Sequence, residues 1–178
     1  MTVKALISVL GEDRTGLIAA VAGRLYDIGA NLGDTTFAVL GSAAELTAVC
    51  ELPDGTSLDA VERDLKGLPF LAGAKVSVMP FAYGLTHGPA AKITHRIEMA
   101  GEDSPGLVAR LAEAFVEYGA NIVQLNSERE IGSDAARYIT RIAVWIPASK
   151  ARACLATVTN TARQMGLTCH WEESGDSH

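Results

Sequence analysis

An internal repeat constrains the fold of this chain more than any other feature of its sequence. The two copies are residues 11–32 (GEDRTGLIAAVAGRLYDIGANL) and residues 101–122 (GEDSPGLVARLAEAFVEYGANI), which align without a gap at an offset of 90 residues. Ten of the 22 aligned positions are identical, whereas average residue frequencies would give about one or two matches. Because two copies are too few for a solenoid, each copy is expected to be a small domain.

The repeat predicts two domains joined by a linker. Residues 1–83 form the first predicted domain, and residues 92–173 form the second. The segment 84–91 contains the glycine and proline residues typical of a linker, and residues 174–178 are expected to be a flexible tail. With 178 residues, of which 48% are hydrophobic, the chain is long enough to bury a core without metals or disulfides.

Both copies have the same predicted order of secondary structure. A short strand, at residues 3–10 or 92–100, precedes an amphipathic helix with apolar residues at helical spacing. The strands predicted after that helix are 32–40, 44–52 and 74–81 in the first copy and 122–130, 136–146 and 167–172 in the second. A second helix lies before the last strand of each copy. The order β-α-β-β-α-β predicts two ferredoxin-like α+β domains, each an antiparallel sheet with helices on one face.

Turn and capping residues predict where these elements begin and end. Gly29 and Gly119 suit the left-handed position just past a helix C-terminus. Thr56-Ser57-Leu58-Asp59 is a capping pattern that starts the second helix of the first copy, and the corresponding helix is expected to start near Pro147. The turns between the two middle strands are predicted at Gly41-Ser42 and Gly132-Ser133.

The most repeated segment is the turn that leads into the first helix of each copy. It reads Asp13-Arg14-Thr15-Gly16-Leu17 in one copy and Asp103-Ser104-Pro105-Gly106-Leu107 in the other. A helix N-terminus attracts anions, and a glycine there would let a ligand approach the backbone. Asn31 and Asn121 follow the two helices, and their amides both donate and accept hydrogen bonds. Together these groups would suit a small zwitterion.

A purely structural explanation covers much of the same pattern and is favoured by the residues alone. Asp13 and Asp103 can cap the two helices, and Pro105 suits a first helical position. Asn31 and Asn121 can be turn residues that follow glycine.

The pattern strand–G-x-D-[RS]-[TP]-G-L-[IV]–helix–G-A-N-[IL]–strand resembles the ACT domain, an amino-acid-sensing module of metabolic regulators. The resemblance covers about residues 3–172, and tandem proteins of this kind include the glycine cleavage system transcriptional repressor family. It implies two domains paired side by side, with a ligand where the helix-start loop of one meets the second strand of the other. The implied sites combine Asp13, Gly16 and Leu17 with Asn121, and Asp103, Gly106 and Leu107 with Asn31. Arg14 would affect specificity, because the other copy has Ser104.

The resemblance implies a cytoplasmic, non-enzymatic regulator that binds glycine or a similar small amino acid. It would act on a protein partner, a transcription factor or an enzyme, in the control of glycine cleavage, and a homodimer is compatible with this function. No cofactor, catalytic residue or metal is implied. Two alternatives stay open: a ligand-independent interaction module that uses an exposed sheet edge, and a small enzyme on the ferredoxin-like fold.

Several function classes are disfavoured by the residues themselves. The chain has 15 basic and 21 acidic residues, net charge −6, so direct nucleic-acid binding is not expected. No P-loop, nucleophile-elbow, HExxH or dinucleotide motif is present. No apolar run is long enough for a membrane span, and the three cysteines have no motif spacing, as in reduced cytosolic proteins. His95 takes the place of Ala5 in the repeat, and we expect a partly buried, hydrogen-bonded histidine there.

Overall fold

The computed structural model describes residues 2–102, 104–131 and 136–175. The chain divides into two compact units, Met1–Leu85 and Thr86–His178. Each unit contains a four-stranded antiparallel sheet and two α-helices in the order β-α-β-β-α-β. The expected ferredoxin-like α+β fold is therefore confirmed for both copies of the repeat.

The elements of the first unit are β1 (Val3–Glu12), α1 (Leu17–Asp27), β2 (Asn31–Leu40), β3 (Ala43–Leu52), α2 (Leu58–Lys66) and β4 (Lys75–Pro80). Its strand order is β2-β3-β1-β4. The strand β1 alternates buried and less buried residues, and Ala5, Ile7 and Val9 point into the core. They pack with the α1 side chains of Leu17, Val21 and Leu25, which lie at helical spacing.

The elements of the second unit are β5 (His95–Gly101), α3 (Leu107–Glu117), β6 (Asn121–Ile131), β7 (Ala136–Trp145), α4 (Ala151–Gln164) and β8 (Thr168–Glu173). Its strand order is β6-β7-β5-β8, the same as in the first unit. Its core contains Met99, Leu111 and Phe115, all almost fully buried. The predicted turn at Gly132-Ser133 and residues 176–178 of the predicted tail lie outside the described residues.

The helix ends agree with most of the sequence predictions. Gly29 has φ 76 and Gly119 has φ 67, the left-handed conformation expected after a helix. The Ser57 hydroxyl accepts a hydrogen bond from the Ala60 N–H at 3.4 Å, so the predicted cap of α2 is confirmed. The helical segment predicted to start near Pro147 begins with a 3₁₀ turn at Ala148–Lys150, whose N-cap is Pro147, and α4 itself follows at Ala151.

Polar side chains join the two helices of each unit. In the first unit the Arg24 guanidinium makes two hydrogen bonds to the Asp64 carboxylate, at 2.5 and 2.8 Å. In the second, the Tyr118 hydroxyl and the Thr157 hydroxyl lie 2.7 Å apart. These pairs hold the helices together on the same face of each sheet, which leaves the helix-start turns at one end of that face.

Candidate functional site

The repeated helix-start segment is a β-turn in both units. The Leu17 N–H donates to the Arg14 carbonyl at 3.2 Å, and the Leu107 N–H donates to the Ser104 carbonyl at 3.1 Å. Gly16 has φ 97 and ψ 0, which are the values of the third residue of a type II turn. The equivalent glycine of the second unit has φ 82 and ψ 3. Glycine is required at this position by backbone conformation, because other residues are strained there.

The turn corrects two predictions about capping. Asp13 does not cap α1, since the helix begins four residues later at Leu17 and has no side-chain cap. Its backbone N–H donates instead to the Ser42 carbonyl at 3.0 Å. Pro105 is the second residue of the turn and not the first helical residue; proline is common at this turn position. Asp103 lies outside the described residues.

The turn leaves backbone donors at the start of each helix. In α1 the first N–H to reach an acceptor four residues back is that of Ala20, which donates to Gly16. The N–H groups of Ile18 and Ala19 therefore have no intrahelical acceptor, and Gly16 itself is exposed. In α3 the corresponding first bond runs from Arg110 to Gly106. Each helix start thus offers donors and the positive end of a helix dipole to an anion.

The side chains of the turn contribute little to such a site. Leu17 and Leu107 are only 2% and 4% exposed, because they belong to the cores. A ligand could therefore meet only their backbone atoms. Arg14 is exposed, and its guanidinium is hydrogen-bonded to the Glu12 carboxylate at 2.6 and 3.1 Å. Since exposed ion pairs are weak, Arg14 could exchange this partner for a ligand carboxylate.

The two asparagines occupy equivalent positions but differ in their hydrogen bonds. Asn31 and Asn121 are exposed first residues of β2 and β6. The Asn121 amide donates to the Ala90 carbonyl at 2.8 Å. Among the described residues the Asn31 amide has no hydrogen-bond partner. Only the asparagine of the first unit is thus fully available.

Within one unit the turn and the asparagine lie at opposite ends of the sheet. In the first unit Asn31 and Lys4 both pair with Glu51, whereas Glu12, the last residue of β1, pairs with Ala43. The path from Lys4 to Glu12 is about 26 Å at roughly 3.3 Å per residue. No unit therefore brings its own turn and its own asparagine together. The combination that the resemblance implies stays a prediction.

The surroundings of the two turn glycines are not identical. A Cβ atom at Gly16 would lie 3.3 Å from the Phe70 Cζ atom, so the ring packs against this turn. At Gly106 such a Cβ would have no contact within 4 Å among the described residues, apart from the glycine and its chain neighbours. The second turn is therefore the more open of the two.

Sequence analysis missed a cavity that lies wholly within the second unit. It has a volume of about 610 Å³ and is lined by residues of β5, α4 and β8, among them His95 and Trp171. The one available signal was His95 in place of Ala5, and the expectation of a buried, hydrogen-bonded histidine agrees with its 6% exposure. The lining comes from distant parts of the chain, so no local motif announces it.

The cysteine thiols and the possible metal ligands are further candidate functional groups among the described residues. Burial raises the pKa values of the Cys50 and Cys154 thiols to about 11, so neither thiol is a nucleophile near neutral pH. The described histidine, cysteine, aspartate and glutamate residues form no group able to hold a metal ion. Within the same ranges, no helix has the length and apolar character needed to cross a membrane.

Comparisons with known proteins agree with this fold. The family model for the ACT domain matches residues 4–78. A UPF0237 protein of Streptococcus mutans is 27% identical over 79 residues, which are 44% of this chain and 90% of that protein. The first unit thus matches the ACT-domain model over most of its length, and the second unit repeats its order of elements and its turn motif.

Two solved structures match nearly the whole chain. An unknown protein from Galdieria sulphuraria has a TM-score of 0.75 at 22% identity, over 98% of this chain and 99% of that one. A proposed glycine cleavage system transcriptional repressor has a TM-score of 0.69 at 14% identity, over 98% of both chains. At these identities the likeness shows a shared two-domain, ACT-like fold.

Proposed function

We propose that this chain, which joins an ACT domain to a second unit of the same fold, is a non-enzymatic regulatory protein. ACT domains are small-molecule regulatory domains. Its ligand is a small amino acid, glycine or a similar one, and the ligand-bound form acts on a protein partner in the cytoplasm. The solved structure of a proposed glycine cleavage repressor shares the fold, and this supports transcriptional control of glycine cleavage as the process.

The observation that carries the proposal is the type II turn at the start of α1 and α3. Both copies keep the glycine and the exposed helix start, although the neighbouring residues change from Arg14 and Thr15 to Ser104 and Pro105. The free N–H groups of the first helical turn suit the carboxylate of an amino acid. An asparagine amide would complete the site by binding the ammonium or the second carboxylate oxygen.

The two asparagines are expected to differ in their contributions. One of the two N–H groups of the Asn121 amide is used in the 2.8 Å hydrogen bond to the Ala90 carbonyl, so a ligand that needs this N–H or another orientation of the amide must break that bond. A typical hydrogen bond contributes about 1 kcal/mol net, or about a five-fold change in affinity. Asn31 has no such bond among the described residues, so the site that uses Asn31 is expected to be the tighter one.

The size of the ligand limits the affinity. The best small ligands reach about −1.5 kcal/mol per non-hydrogen atom, so a molecule as small as glycine cannot exceed about −7.5 kcal/mol. This limit corresponds to a dissociation constant of about 3 μM. Affinities between micromolar and millimolar suit the sensing of a metabolite pool.

The proposal is tested by a thermal-shift screen against the twenty amino acids at about 10 mM, followed by calorimetric titration of each hit. A ligand at 100 times its dissociation constant stabilises the native state by about 2.7 kcal/mol. We expect a selective hit whose affinity falls in Asn31→Ala, and less in Asn121→Ala. The matched control is Asn126→Ala, which removes an exposed asparagine from the middle of β6. A flat screen, or equal losses in the control, would reject amino-acid sensing at this site.

The edge strand β2 supports a second candidate function, a ligand-independent interaction module. It lies at the edge of the sheet of the first unit, and Phe37, Val39 and Leu40 are 40%, 51% and 53% exposed. Exposed edges with apolar side chains favour pairing with another chain. Sedimentation equilibrium of the wild type and of Val39→Lys tests this alternative. A ligand-independent dimer that the substitution dissociates would support a second copy of this chain as the partner.

A further inference from the structure

The second unit contains an open cavity that the proposed amino-acid site does not use. Its volume of about 610 Å³ lies within the usual range of ligand sites, about 300–1,000 Å³. It lies between α4 and the strands β5 and β8. Its lining includes the side chains of His95, Arg152, Leu155, Asn160, Trp171 and Glu173.

The hydrogen bonds of Thr94 determine which nitrogen of His95 can bind a ligand. The Thr94 hydroxyl donates to the Val144 carbonyl at 3.2 Å and accepts from the Ile146 N–H at 2.9 Å. Because its one proton is used, this oxygen can only accept from the His95 Nδ1 atom, which lies 2.9 Å away. In the neutral ring the proton is then on Nδ1, and Nε2 carries a lone pair.

The Nε2 atom is an available hydrogen-bond acceptor of the cavity. His95 is only 6% exposed and lines the cavity, and among the described residues Nε2 has no hydrogen-bond partner. The described residues contain no fully buried side-chain nitrogen or oxygen that lacks a hydrogen-bond partner, so Nε2 is accessible from the cavity. A ligand in the cavity can therefore donate a hydrogen bond to Nε2.

Trp171 provides a flat aromatic surface beside this acceptor. Its ring lies 6.3 Å from the His95 ring at an interplanar angle of 66° and is 47% exposed. Ala151 and Ala156 are small residues on the α4 side of the cavity, so a planar ring has room to pack on the indole. Aromatic pairs of this kind add to the energy of burial.

The rim of the cavity carries one charge of each sign. Arg152 and Glu173 line it, and neither has an ion-pair partner among the described residues. A guanidinium donates to carbonyl or carboxylate oxygens, and a carboxylate accepts from N–H groups. The rim therefore favours a molecule with both an acceptor and a donor at its edge.

The first unit shows that this set of side chains is not a consequence of the fold. His95 pairs with Glu173 and corresponds to Ala5, which pairs with Pro80. Trp171 pairs with Ile97, and the equivalent position of the first unit is Val78. The polar and aromatic lining is thus specific to the second copy of the repeat.

We propose that this cavity binds a planar heteroaromatic molecule whose ring N–H donates to the Nε2 atom of His95 while the ring packs on Trp171. A nucleobase and an indole side chain share this chemistry, and the experiment distinguishes the two sources. The inference does not depend on the proposed amino-acid site.

The test is calorimetric titration of the full chain with indole, 1-methylindole, guanosine and tryptophan. Methylation of the ring nitrogen replaces the N–H donor by a methyl group, and we expect 1-methylindole to bind about five-fold more weakly than indole. His95→Ala should weaken indole binding by a similar factor, and Ala5 shows that alanine fits the equivalent position. The control His170→Ala removes an exposed histidine from the neighbouring position of β8 and should bind as the wild type does.

The two larger probes identify the source of the ring. Tighter binding of guanosine than of indole indicates a nucleobase, and tighter binding of tryptophan indicates an aromatic amino acid. Either result supports the proposal, provided that binding survives Asn31→Ala and Asn121→Ala. The proposal is overturned if none of the probes binds at millimolar concentration. Equal binding of indole and 1-methylindole, or full affinity in a folded His95→Ala variant, would overturn it as well.

Discussion

Replacing Gly16 with alanine tests the structural role of the repeated turn. The residue has φ 97, where a residue with a Cβ atom is strained by about 1–2 kcal/mol. The new Cβ would also lie 3.3 Å from the Phe70 Cζ atom, so the ring would have to shift. We therefore expect the free energy of unfolding to fall by at least about 1–2 kcal/mol, the conformational part of the effect. With a urea dependence of about 1.5 kcal/mol per molar, the unfolding midpoint falls by about 1 M.

Two matched variants separate the causes of this effect. Gly106→Ala has the same unfavourable φ but no contact within 4 Å, so it should be destabilised by the conformational part alone. Gly23→Ala lies inside α1, where φ is ordinary and the new Cβ meets nothing. Alanine is favoured over glycine inside a helix by about 0.5–1 kcal/mol, so this variant should be more stable than the wild type. A Gly16→Ala protein as stable as the wild type would refute the type II turn as the reason for the glycine.

Two further predictions follow from ionisable side chains. At pH 8 iodoacetamide should leave Cys50 and Cys154 unmodified in the native protein, because both are buried and their pKa values are raised to about 11. The labelling is measured by mass spectrometry. Faster labelling of either residue than of the less buried Cys169 would contradict this prediction. Hydrogen bonds from Lys66 and from the Val78 N–H lower the pKa of Glu62 below its ordinary value of about 4.5. Its contribution to stability is therefore complete above that value and is lost as the pH falls through the lower pKa of the folded state. Urea midpoints between about pH 5 and 3 should fall less in Glu62→Gln than in the wild type, and equal slopes would contradict the assignment.

The periodic patterns of the sequence predicted the fold well. Alternating burial on β1 and the helical spacing of Leu17, Val21 and Leu25 are direct consequences of the strand and helix periods. The glycines after α1 and α3 were also found, because a left-handed residue after a helix is a strong local constraint. These features depend on residues close in sequence, and for that reason they can be predicted.

The starts of α1 and α3 are harder to predict from the sequence, because the same residues fit both a helix cap and a type II turn. An aspartate shortly before an apolar helix resembles a cap, but the Thr15-Gly16 and Pro105-Gly106 pairs form the centre of a type II turn that separates Asp13 from its helix. Proline or another permissive residue followed by glycine is the sequence pattern of that turn, so the turn could have been recognised. The sequence favours the cap, because a capping side chain is a more specific signal than a turn.

The cavity of the second unit was beyond sequence analysis for a different reason. His95, Asn160 and Trp171 are brought together by the pairing of β5 with β8 and by the packing of α4. No spacing along the chain encodes that arrangement. When the two copies of the repeat are compared, the exchange of Ala5 for His95 is the one sequence difference that indicated this cavity.

Binding of a small amino acid at the helix-start turns is central to the proposed function, and nitrogen-15 NMR tests this binding most directly. Titration with glycine and with the strongest hit of the amino-acid screen should shift the backbone amide signals of Ile18, Ala19, Val108 and Ala109, where the helices expose their donors. The side-chain amide signal of Asn31 should shift together with the signals of one helix start, either those of Ile18 and Ala19 or those of Val108 and Ala109. Saturating shifts at these positions would support the claim. No shifts up to about 10 mM ligand, or shifts confined to other residues, would contradict it.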